Sequence, residues 1–136
     1  MGSTPQFIAT VKTPTLSIAN ADGTTFKNLY TAGTSGGRID AVSIANSDVS
    51  NAYTVQFAVS KSGVDYPIGE VAVPAGSGTN GTALAVSALS SVFMPFLDVT
   101  ESNALFLESG VILRAKVKST VAGANTLSLV GFGGDY

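Results

Sequence analysis

Between residues 38 and 60 the chain alternates large and small side chains twice, on either side of a polar hinge. In "AYTVQFAVS", residues 52–60, Tyr53, Val55, Phe57 and Val59 fall on one side and Thr54, Gln56, Ala58 and Ser60 on the other. A period of two is the mark of a strand with one dry face. In "RIDAVSIAN", 38–46, strict alternation puts Val42 and Ile44 on the face of Asp40, and Ile39, Ala41, Ser43 and Ala45 on the opposite one. "SDVSN" joins the two runs, with Asp48 and Asn51 as turn formers. The pair predicts neighbouring antiparallel strands sharing one core. "VILRAKVKS", 111–119, repeats the pattern: Val111, Leu113, Ala115 and Val117 face in, and Arg114, Lys116 and Lys118 face out.

Other strands follow from residue type and punctuation. "TTFKNLYTAG", 24–33, is rich in Thr and aromatics and is followed by the loop "TSGG". "KSGVDYP" reads as a turn, "IGEVAVP", 68–74, as a strand stopped by Pro74, and "AGSGTNGT", 75–82, as a glycine-rich loop. The first half of "ALAVSALSSVFMPF", 83–96, favours a short helix by composition, ended by Pro95. "ALFLESG" enters a turn at Gly110, "TVAGAN" is a hairpin-like turn, and "TLSLVGF", 126–132, is the last strand. Seven or eight short strands at this spacing predict an all-β, antiparallel sandwich or barrel. Residues 1–23 carry Pro5 and Pro14 and few large apolar side chains. They read as an extended N-terminal arm with a short strand at Thr15–Ala19, or as an edge strand of the same domain. Residues 24–136 form the β-sandwich domain.

Charge changes the picture in one respect. Only 12% of the 136 residues are charged, against a usual ~25%, and the seven Lys and Arg are outnumbered by nine Asp and Glu. A net charge of -2 supplies no basic field, so nucleic acid is not an expected partner. With 45% apolar residues the chain is no candidate for disorder. Its surface is therefore built of Ser, Thr, Asn, Gly and Ala, a neutral exterior suited to burial against a partner. "MGSTPQFIATVK" has neither the basic start nor the apolar core of a signal peptide. Gln6 stands where a myristoylation pattern needs Ser or Thr. No apolar run approaches membrane-spanning length, so no membrane is expected.

Candidate chemistry is thin. There is no His and no Cys, which removes imidazole bases, thiol nucleophiles and the usual soft metal ligands. No G-x-S-x-G elbow occurs. Asp40 sits beside Arg38 at a spacing that predicts an ion pair. Asp98 and Glu101 flank a polar loop and have the oxygen chemistry of a hard-cation site, at a spacing that fits no known calcium loop. No catalytic residue, no cofactor and no metal is assigned. The basic stripe of Arg114, Lys116 and Lys118 either serves solubility and blocks edge pairing or contacts an acidic protein surface. Phe93 and Phe96 flank Met94-Pro95 in a loop-like stretch, as a plug under the loop or as an interface anchor.

The order of motifs carries a resemblance. "LYTAGTSGGRIDAVSIANSD", then "VQFAVSKSGVDYPIGEVAVPAGSGT", then the closing "LFLESGVILRAKVKSTVAGANTLSLVGFGGDY" resemble small virion proteins of tailed bacteriophages, over residues 24–136. The resemblance implies a capsid decoration (cement) protein with a β-sandwich or jelly-roll fold. It implies trimers on the outer shell that clamp neighbouring copies of the major capsid protein, and it carries no catalytic residues to transfer. It also implies manufacture in the bacterial cytoplasm. On that expectation Phe7 and Ile8 of the arm, Phe93, Phe96, Arg114, Lys116, Lys118 and the terminal Tyr136 are the candidate interface residues. Two other readings are a tail or fibre-base protein contacting the host, and a carbohydrate-binding β-sandwich, the latter without the Trp platforms such modules present.

Overall fold

Ten strands and one short 3-10 turn make up the computed structural model, which describes residues 7–97 and 103–136. The strands are β1 (Thr10–Lys12), β2 (Thr15–Ala19), β3 (Lys27–Thr31), β4 (Gly37–Asn46), β5 (Tyr53–Lys61), β6 (Val64–Val73), β7 (Val86–Ser87), β8 (Leu105–Leu107), β9 (Ile112–Val117) and β10 (Thr126–Asp135). They form two antiparallel sheets packed face to face, a β-sandwich.

In the first sheet β10 and β4 lie side by side. β1 and β2 share the outer edge of β10, and β7 and β8 share the outer edge of β4. The six strands therefore fill four lanes. The second sheet runs β3-β9-β5-β6. The pairing is nested around the β5–β6 hairpin: β4 pairs with β7 and β8, β3 with β9, and β1 and β2 with β10. Thr15–Ala19 is the strand expected there, hydrogen-bonded along Thr126–Val130 of its own chain.

The hairpin at the centre of this nest is a two-residue turn. Ser62 and Gly63 both have positive φ (54° and 79°), as a type I′ turn requires. The expected turn "KSGVDYP" is thus shorter than its composition suggests, and Val64–Pro67 belongs to β6. Pro67 is tolerated because β6 is an edge lane and a bulge lies there: Gly69 opposes Phe57, Pro67 opposes Ala58, and Ile68 is the extra residue.

A second bulge corrects the face assignment of β4. Ala41 opposes Phe132 and Ile39 opposes Gly133, so Asp40 is the extra residue. The phase shifts by one, and Ile39 joins Val42 and Ile44 in the core. Opposite them the second sheet contributes Val55, Phe57, Val71, Leu113, Ala115 and Val117, all fully buried. The alternation expected of β5 holds for Tyr53, Val55 and Phe57, and that of β9 from Leu113 to Val117.

The helix expected within 83–96 is not formed. Val86 and Ser87 pair with Ile44 and Ser43, and turns follow, with Met94 and Leu97 buried. The edge of β4 offers backbone partners that a short, Ser-rich segment without caps satisfies better as a strand than as a helix.

Polar contacts close the sandwich at both ends. At one, the fully buried Asn46 donates from Nδ2 to the carbonyls of Asn51 (2.9 Å) and Pro74 (3.2 Å) and accepts from the Asp48 N–H (2.8 Å). The Tyr53 hydroxyl donates to Asp48 (2.7 Å) and accepts from the Ala122 N–H (2.9 Å). At the other, the buried Tyr30 of the second sheet donates to the Asp135 carboxylate and the Gly134 carbonyl of the first.

Candidate interaction surface

The outer faces of the two sheets differ in kind. On the second sheet the basic stripe faces the acids of β6. Arg114 makes two contacts to Asp65 (3.1 and 2.9 Å) and one to the Phe26 carbonyl (3.0 Å). Lys118 meets Glu70 at 2.8 Å. Lys116 lies 4.7 Å from the centroid of the Phe26 ring. These pairs bridge β9 to β6 across β5. Elsewhere Lys12 pairs with Asp135, Lys27 with Asp22, Arg38 with Asp40 (3.0 Å, as its spacing predicts) and Lys61 with Glu108. Six of the seven cations are thus in ion pairs within the chain, and the seventh sits over a ring. Two of the stripe's three charges are matched by acids of β6, and Lys116 has no carboxylate partner among the described residues.

The first sheet presents apolar groups instead. Register places Val11 (β1), Gly134 (β10), Arg38 (β4) and Phe106 (β8) in one lateral row. At ~4.8 Å between lanes the row spans roughly 14 Å. Inward neighbours Leu105 and Leu107 are buried, so Phe106 stands outward, 55% exposed. Val11 is 80% exposed. Phe132, two residues before Gly134, is 49% exposed on the same face, with Ala41 opposite it. Any side chain at Gly134 would collide with Ile8, which therefore lies over the strand at this point. Phe7 beside it is 80% exposed. The Arg38–Asp40 pair sits in the middle of this group, where the β4 bulge lifts Asp40. The rest of the face carries mostly small groups, Thr15, Ser17, Ser43, Ala45, Ser87 and Ser128, with the half-buried Val130 among them.

Two clefts meet at Phe106. One of about 310 Å³ runs between the edges of the sheets and is lined by Val59, Tyr66, Ile68 and Val111, with Lys61 and Glu108 at its rim. The other, about 550 Å³, lies between Thr34–Gly37 and Phe106–Ser109 and includes Tyr136. Tyr136 is half-buried, and its N–H is fixed on the Gly36 carbonyl (3.1 Å).

The expected interface residues are thus dispersed. Ile8 lies over the outer face of the first sheet, Phe7 precedes it in the chain and is exposed, and Tyr136 lies at the margin of that face. Arg114, Lys116 and Lys118 lie on the opposite face of the sandwich. In the "FMPF" stretch Met94 is a plug, packed against Gly69 of β6, Phe93 is half-buried, and Phe96 is 56% exposed. Asp98 and Glu101 lie outside the described residues. Phe106 and Phe132 belong to the surface and were not expected there. The signal was present, because in "LFL" and "LSLVGF" the leucines fix the inward phase and leave each Phe on the wet side. Among the described residues no group of His, Cys, Asp and Glu is arranged to hold a metal ion. Compared with known proteins, the chain matches no protein-family model and no curated protein.

Proposed function

We propose that this protein is a structural component of a tailed-bacteriophage particle, a capsid decoration protein of jelly-roll connectivity. The observation that carries the reading is the contrast between the two outer faces. The second sheet matches most of its charges with its own neighbours, whereas the first leaves Val11, Phe106 and Phe132 exposed on its outer face, with the half-buried Ile8 beside Gly134. Several large apolar side chains left exposed on one sheet face mark a surface that another protein covers. The nested lane order supports the jelly-roll reading, since rolling one long hairpin gives two interlocked Greek keys.

In this reading the partners are further copies of the chain, assembled as a trimer, and the major capsid protein on the outer surface of the shell. The chain is made in the bacterial cytoplasm and acts without a cofactor, by binding rather than by catalysis. The test is to add the purified protein to heads of the encoding phage that lack it. The expected result is a homo-oligomer in light scattering, co-sedimentation with the heads and a higher disruption temperature. A monomer that leaves sedimentation and disruption unchanged overturns the proposal. Immunogold labelling separates head from tail, and labelled tails would transfer the protein to a tail or fibre-base role.

A further inference from the structure

The loop between β6 and β7 holds the sequence's one Asn–Gly pair, Asn80–Gly81, on an exposed tip. Its side chain is fixed. The Asn80 carbonyl oxygen Oδ1 accepts from the N–H of Thr82 (2.9 Å), the hydroxyl of Thr82 (3.0 Å) and the N–H of Ala83 (2.8 Å). These bonds direct the amide oxygen along the chain towards residues 82 and 83, and a Cβ at Gly76 would collide with the amide. Gly81 has no side chain, positive φ (82°) and open space where a Cβ would stand, so no side chain at 81 hinders attack by its nitrogen.

We propose that Asn80 is a site of self-modification, at which the fold promotes its own deamidation. Hydroxide from solvent removes the Gly81 amide proton. The nitrogen attacks Cγ of Asn80, and the new N–Cγ bond pushes charge onto Oδ1. Three donors already aimed at that oxygen stabilise the charge, as an oxyanion hole does. The Cγ–Nδ2 bond breaks, and Nδ2 takes a proton from water and leaves as ammonia. Water then opens the cyclic imide at either carbonyl, giving Asp or isoaspartate at position 80. The balance is one water consumed and one ammonia released.

The site matters to the fold because the same loop braces a buried end of the sandwich. Ser77 accepts from the Asn46 N–H (2.8 Å), Thr79 Oγ1 donates to the Asn46 carbonyl (2.6 Å), and Gly78 donates to Ala83 (2.7 Å). An isoaspartate adds a methylene to the backbone between those ties and pulls them out of register.

Peptide mass spectrometry on the intact protein, aged at mildly alkaline pH in buffer and in urea, tests the proposal. The expected result is acid and isoaspartate at residue 80 accumulating faster in the folded chain than in the unfolded one. Thr82→Val, which removes one donor, slows the folded reaction by about 2- to 10-fold, the worth of a single hydrogen bond. A folded rate equal to or below the unfolded rate, or a Thr82→Val rate unchanged from the parent, overturns it.

Discussion

Replacing Phe106 and Phe132 together by Ser strips the central apolar groups from the outer face of the first sheet. A phenylalanine side chain offers roughly 200 Å², and exposures of 55% and 49% leave ~110 and ~100 Å² available to a partner. At ~25 cal/mol per Å² that surface is worth about 5 kcal/mol when wholly covered. Side-chain ordering and incomplete coverage reduce it to about half, or roughly 30- to 150-fold in Kd. The same change removes the ~90 and ~100 Å² that the two rings bury in their own domain, about 2 kcal/mol each at the same coefficient as an upper bound, so binding is read well below the variant's melting range. Sedimentation of the double variant with decoration-free heads, at a series of protein concentrations, reads the change. A midpoint raised by that factor, with the variant lower in melting temperature but fully folded at the assay temperature by circular dichroism, is the expected result. Binding equal to the parent would refute the assignment of this face, and the same loss on changing Lys116 and Lys118 to Ser would relocate the contact to the second sheet.

Other predictions concern the frame that presents this face. Asn46→Ala strands buried backbone groups and lowers stability by about 2–3 kcal/mol, a fall in Tm of roughly 10 °C by calorimetry, while Ser128→Ala on the exposed face leaves Tm in place. Gly37→Ala sets a methyl on the Tyr30 hydroxyl and costs ~1–3 kcal/mol by overpacking, read as a lower urea midpoint. The Asp48 carboxyl is held from 3.8 down to about 2 by hydrogen bonds from Asn51 and Tyr53 and from the Ser50 N–H. Its contribution is complete above the unfolded pKa and is lost as pH falls through the folded one, so the urea midpoint should hold above pH ~4 and drop from there towards pH ~2. At the alkaline end burial raises the Tyr30 and Tyr53 hydroxyls above their usual 10.0, with Asp135 and Asp48 respectively adding to the rise. The unfolded chain then releases protons that the folded one keeps, and stability should fall as pH climbs past ~10.

Much of this architecture was legible in the residues. Alternation in "AYTVQFAVS" and "ILRAKV" reports the inward faces of β5 and β9 because nothing interrupts their pairing with each other. It fails for Ile39, where the bulge at Asp40 shifts the phase, and the start of β6, with its own bulge at Ile68, is hidden behind turn-forming residues. A bulge depends on the partner strand and leaves no periodic mark of its own. The basic stripe misleads for a related reason: Asp65 and Glu70 are distant in sequence from Arg114 and Lys118, and only the β9-β5-β6 order brings them together. The apolar surface was the reverse case. Phe106 and Phe132 sit at outward phases that the leucines beside them announce, yet a Phe within a strand is first assigned to the core by its hydrophobicity.

A cryo-EM reconstruction of the phage head tests the central claim most directly. The account predicts eight-lane sandwiches on the outer shell, with Val11, Phe106 and Phe132 covered by protein and the Arg114–Asp65 and Lys118–Glu70 pairs facing solvent. Heads without such density, or sandwiches seated on the second sheet with those three side chains bare, would contradict it.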